Sequence, residues 1–496
     1  MASILPSLHR AAPRLTRRLF DSLPKQTPQW QLQARRAFKT VPARPAIAIS
    51  NVSTVSSKTP SQSSSFARSF KAYRVKFLKA FFPRLTRKPV GYWLLFSAAN
   101  VFGIVVFGGL TRLTESGLSI TEWKPVTGAL PPSGESEWEA EFQKYQSSPE
   151  FKLLNPNMTM DEFKKIYYME WTHRLWGRFV GVTFVVPAVL FIVAGKVSKP
   201  MAGRILGIAG LIGLQGFLGW WMVSSGLKDH LFAPGSHPRV SQYRLVAHLG
   251  TAFLCYSAMF WNGLQILREQ KLASNIEAAR GTLERLKNPR LRVFQRSIAM
   301  LAGLVFITAM SGGFVAGLDA GLIYNDFPWM GQGWIPPLDE LLSDFYSQKA
   351  DGRDLWWRNA LENPSLAQLD HRVLATTTFT AVIALFTYSR FSPTIVKLLP
   401  NASKRAVHGV LGFACLQVAL GISTLLYLVP LPLASAHQAG SLALLSYVLL
   451  LGSRTWLPNK RFLQLLQKRK ISPGSVANQR GGINSLHANR HVTAKN

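Results

Sequence analysis

The stretch "YMEWTHRLWGR", residues 168–178, sets a histidine between a glutamate and two arginines, just ahead of a long apolar run. "QLDHRVLATTTFTAVIALF", residues 368–386, does the same, with His371-Arg372 standing 198 residues after His173-Arg174. Ionisable side chains next to an apolar span cost free energy and point to function. A costly pair that occurs twice raises the question of whether the surrounding sequence is also written twice.

The rest of the chain supports that reading. "GGLTRLTESGLSI" from Gly108 matches "GGFVAGLDAGLIY" from Gly312, 204 residues on. Gln215 in "LQGFLG" matches Gln417 in "LQVALG", and His248 in "VAHLGTA" matches His437 in "SAHQAGS". A membrane span needs about 20 mostly apolar residues. Eight segments qualify, roughly 91–111, 173–195, 203–225, 243–266, 297–318, 371–390, 404–428 and 433–453, the last two forming a tight hairpin. Each copy holds four of them, and an even number preserves orientation, so the copies should be parallel repeats about an axis along the membrane normal. The expected fold is an all-α membrane protein of eight transmembrane helices, arranged as two parallel four-helix-bundle repeats over 89–270 and 297–455, with a linker at 271–296.

Composition agrees. Charged residues are 16% of the chain, against about 25% in soluble proteins. The net charge of +33 would suit a nucleic-acid partner, but the basic residues lie in the N-terminal arm, the C-terminal tail and alternate links. That is the pattern of membrane topology, and nucleic-acid binding is excluded on it. Residues 1–88 hold a single acid, Asp21, among many arginines and serines, as a mitochondrial transit peptide and basic matrix arm would. Cleavage is expected between 35 and 70, and residues 456–496 read as a basic disordered tail. With basic links after every even-numbered span, both termini face the matrix, and the links 112–172 and 319–370 face the intermembrane space. The two cysteines, Cys255 and Cys415, lie in apolar runs with no CxxC, which argues against a disulfide framework, a zinc site or an iron–sulfur site.

All even-numbered spans then run the same way, and His173, His248, His371 and His437 sit near the outer face, two in each repeat. Paired imidazoles from facing helices can hold a haem iron; zinc or copper would want further donors. His230, His237 and His408 have no repeat partner and read as loop or interfacial residues. Arg174, Arg372 and Arg112, with Arg178 behind them, are candidates for haem propionates, since guanidinium pairs with carboxylate in a bidentate manner; otherwise they are snorkelling arginines. Glu170 lies three residues before His173 and shares its helical face, whereas the matching residue in the second repeat is Gln368, and Asp370 falls off the face of His371. One site therefore has a carboxylate beside it and the other has none. Glu170 is the candidate catalytic residue, unless it merely ends a loop in water. A b-type electron-carrying cytochrome would need haems near both membrane faces, and a haem chaperone or transporter would have no use for the acid.

At these residues the chain resembles the mitochondrial haem A synthase family: "GGLTRLTESGLSITEWKPVTGALPP", "EWTHRLWGR", "GWWMVSSGL", "VSQYRLVAHLG", "GGFVAGLDAGLIYNDFPWM", "LDHRVLA" and "SAHQAGSLALL" carry the likeness, from about Gly91 to Arg454. The resemblance implies an inner-membrane oxidoreductase that turns the C8 methyl of haem O into the formyl of haem A for cytochrome c oxidase. It implies a permanent haem b on His371 and His437, substrate haem O on His173 and His248, and Glu170 at the catalytic carboxylate position. Haem O synthase, a farnesyltransferase, would supply the substrate, a ferredoxin-type protein would exchange electrons, and the enzyme would be a homo-oligomer in the lipid bilayer. Many bacterial members carry a cysteine pair in the first outer link; residues 112–172 here contain none, so a thiol relay is not expected.

Overall fold

A computed structural model describes residues 82–124, 127, 130–232 and 238–471. The expected transit peptide and its cleavage site, and the tail beyond 471, lie outside the described residues. Among the described residues eight helices run 25 residues or longer: α1 (Lys88–Leu113), α2 (Met160–Val193), α3 (Lys199–Gly226), α4 (Gln242–Ser274), α5 (Arg292–Gly317), α6 (Pro364–Phe391), α7 (Asn401–Leu426) and α8 (Leu431–Thr455). Proline stands in the first turn of α1, α3, α6 and α8, where its fixed φ fits and its missing N–H is not needed.

Six helical segments are long and apolar enough to cross a membrane by length and composition: Lys88–Leu113, Met160–Val193, Lys199–Gly226, Pro289–Gly317, Asn401–Leu426 and Leu431–Gln467. Helices α4 and α6, both expected as spans, fall short of that measure. Helix α4 carries Arg244, His248, Asn262, Gln265 and Arg268, and it touches α1, α3, α5 and α8, so its neighbours shield much of it. Helix α6 carries Asp370, His371, Arg372 and a run of threonines. Thr376, Thr377 and Thr380 return their hydroxyls to carbonyls one turn back, at 2.8–2.9 Å, which satisfies them without water.

The helices close into two rings. α1 packs on α2 and α4, with α3 closing the ring against both; α5 packs on α6 and α8, with α7 closing that ring. Between the rings α4 meets α5 and α8, and α8 meets α1. The α7–α8 hairpin turns through Leu428 and Val429 at φ 61° and 56°, a left-handed conformation that branched residues seldom adopt. Their N–H groups donate to Leu425 and Thr424 carbonyls at 3.1 and 2.8 Å, closing the end of α7.

Three boundaries differ from the sequence reading. Helix α2 starts at Met160, well before His173, because Thr159 and Glu162 form a reciprocal capping box of the kind that starts helices. The linker holds a helix, Ile276–Leu286, and the tail begins with another, Lys460–Ile471. Phe462 and Leu466 of the tail bury themselves against Leu283, an apolar stripe hidden within a strongly basic composition.

The outer link between α1 and α2 folds as helices Glu135–Gln146 and Pro149–Leu154 over buried Trp138, Tyr145, Phe163 and Tyr167. Glu150 is buried there, accepting from the Tyr145 hydroxyl at 3.1 Å. Burial pushes its carboxyl up to about 8. An acid whose folded pKa exceeds its unfolded one favours the fold while protonated. That contribution is complete below about 4.5 and is lost as pH rises through about 8. Proteolysis of this link should therefore accelerate as pH rises from about 4.5 towards about 8 in the native protein and level off above that, and Glu150→Gln should flatten the rise; an equal rise in the variant would refute the assignment.

Candidate functional site

Each of the four repeated histidines lies on an even-numbered helix and rests on a glycine of the helix before it. A Cβ at Gly108 would come within 2.8 Å of His173 Cε1; at Gly219, 3.3 Å from His248; at Gly312, 3.1 Å from His371; at Gly421, 2.9 Å from His437. The Gln215 amide donates to the His248 carbonyl at 3.0 Å, and Gln417 donates to the His437 carbonyl at the same distance. All four histidines sit toward the same end of the bundle. At 1.5 Å per residue, His437 lies about 27 Å from Thr455 at the far end of α8, and His371 about 30 Å from Phe391.

His371 and His437 face each other with ring centroids 6.3 Å apart and planes at 90°. Two imidazoles gripping one metal ion from opposite sides, each through a bond of about 2 Å with the ring centre roughly 1 Å further back, would have centroids about 6 Å apart. Nδ1 of His173, His248 and His437 is buried without a hydrogen-bond partner among the described residues, whereas His371 Nδ1 meets Ser311 Oγ at 2.8 Å. No group of three or more His, Cys, Asp or Glu side chains that could hold a metal ion occurs among the described residues. A metal shared by two imidazoles must then draw its other ligands from elsewhere, as iron does from a porphyrin. The residues fit haem.

Glu170 is buried, inside α2 and not at the end of a loop. Its Oε1 accepts from Arg174 Nη2 at 2.6 Å and Nε at 3.0 Å; its Oε2 accepts from Ser119 Oγ at 2.7 Å and the Ile120 N–H at 2.8 Å. All four acceptor positions of the carboxylate are filled. Arg174 also donates to the Ile120 and Glu122 carbonyls at 2.8 and 2.9 Å. The second ring repeats the anchor: Arg372 donates to the Tyr324, Asp326 and Trp329 carbonyls at 3.1, 2.9 and 3.0 Å. There Gln368 donates to the Tyr324 carbonyl at 2.9 Å. The glutamate accepts from the backbone of its link and the glutamine donates to the backbone of its own, so both anchors use an arginine and only the first adds a carboxylate.

The structure thus gathers Glu170 and Arg174 beside His173, and occupies both repeat arginines with the outer links. Arg112 pairs with Asp319 at 2.7 Å, and Arg239 reaches the other oxygen of Asp319 at 2.9 Å, which ties the two rings together. Arg178 donates to the Lys124 carbonyl at 2.7 Å. His408 bonds the Lys404 carbonyl at 2.8 Å on an exposed face, and His237 lies outside the described residues. Sequence reasoning missed Ser119, Asp319 and the glycines under the rings. Gly108 and Gly312 stood in the matched "GG" pairs, and Gly219 and Gly421 at the end of the matched "LQGFLG" and "LQVALG", where only the repeat was read.

A family described as cytochrome oxidase assembly protein, COX15-CtaA, matches residues 91–449. In Saccharomyces cerevisiae a protein named Heme A synthase COX15 is 50% identical over 399 residues, covering 79% of this chain and 82% of that protein. In Schizosaccharomyces pombe a Heme A synthase-mitochondrial ferredoxin fusion protein is 48% identical over 377 residues, covering 75% of this chain and 60% of that protein. The human Heme A synthase COX15 is 46% identical over 380 residues, covering 76% of this chain and 83% of that protein. With its repeated histidines, the buried Glu170 beside His173 and a match across both rings, the chain belongs to the COX15-CtaA family of cytochrome oxidase assembly proteins.

Proposed function

We propose that this protein is a haem A synthase with a different task in each ring: His371 and His437 hold a resident haem b, and His173 and His248 hold haem O as substrate. The enzyme is an oxidoreductase, converting a methyl group of haem O into the formyl group of haem A. That is a four-electron oxidation through an alcohol and a hydrated aldehyde. The observation that carries the assignment is the 6.3 Å, perpendicular pairing of His371 and His437 with the neutral Gln368 one turn before His371, against the carboxylate of Glu170 one turn before His173. Bound haem supplies the redox chemistry; the chain orients the porphyrin and handles protons.

Glu170 is the proton-handling group in this reading. Its oxygens are fully engaged, so it must exchange a contact before it can take a proton or orient a water at the ring edge. The Ser119 hydroxyl is the one neutral, rotatable donor among its partners, and it is the contact that can turn away. Arg174 keeps the carboxylate in place throughout, and its own N–H groups are spent on the carboxylate and the link. Its role is therefore to anchor the link, with propionate contact secondary. Arg372 anchors the second link in the same way and Arg112 pairs with Asp319, while the Nε of each is buried without a partner among the described residues and is left to meet a propionate.

The chain crosses the mitochondrial inner membrane eight times as two parallel repeats, with both termini in the matrix and the histidines toward the intermembrane space. Basic links after the even-numbered helices and the shared end of the four histidines support this. The name of the fission-yeast relative supports a ferredoxin-type electron partner, and haem O synthase is the source of substrate that the reaction requires.

Two outcomes check the reading. His371→Ala or His437→Ala should remove the low-spin haem B spectrum from purified protein; full haem B occupancy in both variants would mean that the rings are assigned the wrong way round. Glu170→Gln should lower the rate by ~10²–10⁴-fold with haem B content unchanged and haem O or a partly oxidised haem accumulating. A wild-type yield of haem A from that variant would remove the catalytic role.

A further inference from the structure

The two rings meet through their glycine pairs, and the meeting points join ligand to ligand. In α1, Gly108 lies under the His173 ring while the next residue, Gly109, lies under Gln438 of α8, so closely that a Cβ there would collide with the amide oxygen. The Gln438 Nε2 donates to the Val105 carbonyl at 2.8 Å, the carbonyl that in a regular helix already accepts from the N–H of Gly109. Gln438 is the immediate neighbour of His437. An unbroken run of contacts therefore leads from His173 through Gly108, Gly109 and Gln438 to His437. The mirror contact exists on the other side. Gly312 of α5 lies under His371, and a Cβ at Gly313 would come within 3.1 Å of Val246 and 3.2 Å of Leu249 in α4, Leu249 being the neighbour of His248. That second contact is apolar. The first is a directed hydrogen bond, and glycine-scale closeness leaves α1 and α8 no slack at this point.

We propose that Gln438 is a positioning residue that couples the two haem sites, acting through His437 on the resident haem and through α1 on the ring of His173. It rests on the assignment of haem b to His371 and His437 and of substrate haem to His173 and His248. A ligand pressing on His173 presses on Gly108, and the next residue bears the Gln438 amide. Tilting that amide turns the start of α8, and with it the His437 imidazole. Leucine, the residue at the corresponding place in the first ring, fills space and cannot transmit a directional pull. Coupling of this kind is reciprocal: substrate should alter the resident haem, and the resident haem should alter substrate affinity.

The test uses purified full-length protein carrying haem B, titrated with haem O under anaerobic conditions, with the electron paramagnetic resonance signal of the low-spin haem B as readout. In the native protein the signal should shift on saturation with haem O. In Gln438→Leu the haem B signal should be present at full occupancy and should not shift, and haem O affinity should fall about fivefold or more. Gln438→Asn, which keeps the amide but is too short to reach the Val105 carbonyl, should behave like the leucine variant and serves if that variant fails to assemble. A shift of native size in either variant, or no shift in the native protein, would overturn the proposal. A haem B signal that survives in His437→Ala would instead overturn the assignment of the rings, and the proposal with it.

Discussion

The contact on which the rest depends is an imidazole ring set, Cε1 nearest, against a glycine of the adjacent helix. Two rings on different helices can share one ligand only if the backbones around them come close, and a Cβ in the way would hold them apart. Gly108, Gly219, Gly312 and Gly421 clear that space four times. The second glycine of each α1 and α5 pair then lets the opposite ring approach. Glycine costs up to about 1 kcal/mol of helix propensity at each position; here it allows the close approach of helices that packing in a membrane favours.

The outer links are the second level. Each is fastened by the arginine that follows a histidine, and the fastening goes to backbone carbonyls, which are present whatever the link sequence. This accounts for the paired His-Arg of the two apolar runs: the histidine looks inward and its neighbour, turned about 100° around the helix, reaches the link. The rings diverge at one residue. Gln368 makes a neutral bond, while Glu170 places a carboxylate under the first link with Ser119, Ile120 and Arg174 around it. The second link is closed by Arg372 and the neutral Gln368, with no carboxylate at this position.

Much of this was legible in the sequence because the repeat supplied an internal comparison. His173, His248, His371 and His437 were identifiable from matched positions, and Glu170 from its mismatch with Gln368. The apolar runs gave the long helices, though α4 and α6 are too polar to be read as spans by composition alone; neighbours and self-satisfied threonines carry their polarity. Partners distant in sequence were not legible. Nothing in "GLSITEW" announces that the Ser119 hydroxyl meets Glu170, nor in "GLDAGL" that Asp319 will bridge Arg112 and Arg239. Such contacts follow from how helix ends converge. The helical start of the tail was hidden for a different reason, since its basic composition masked a short apolar stripe at Phe462 and Leu466.

The central claim is that the two histidine pairs hold two haems of different kind. The most direct measurement is extraction and chromatography of the haems bound to purified native protein and to His173→Ala. The native protein should yield haem B together with haem O or haem A, and the variant should keep its haem B and lose the other two. Retention of haem O and haem A at the native ratio in His173→Ala, or loss of haem B instead, would contradict the division of labour between the rings.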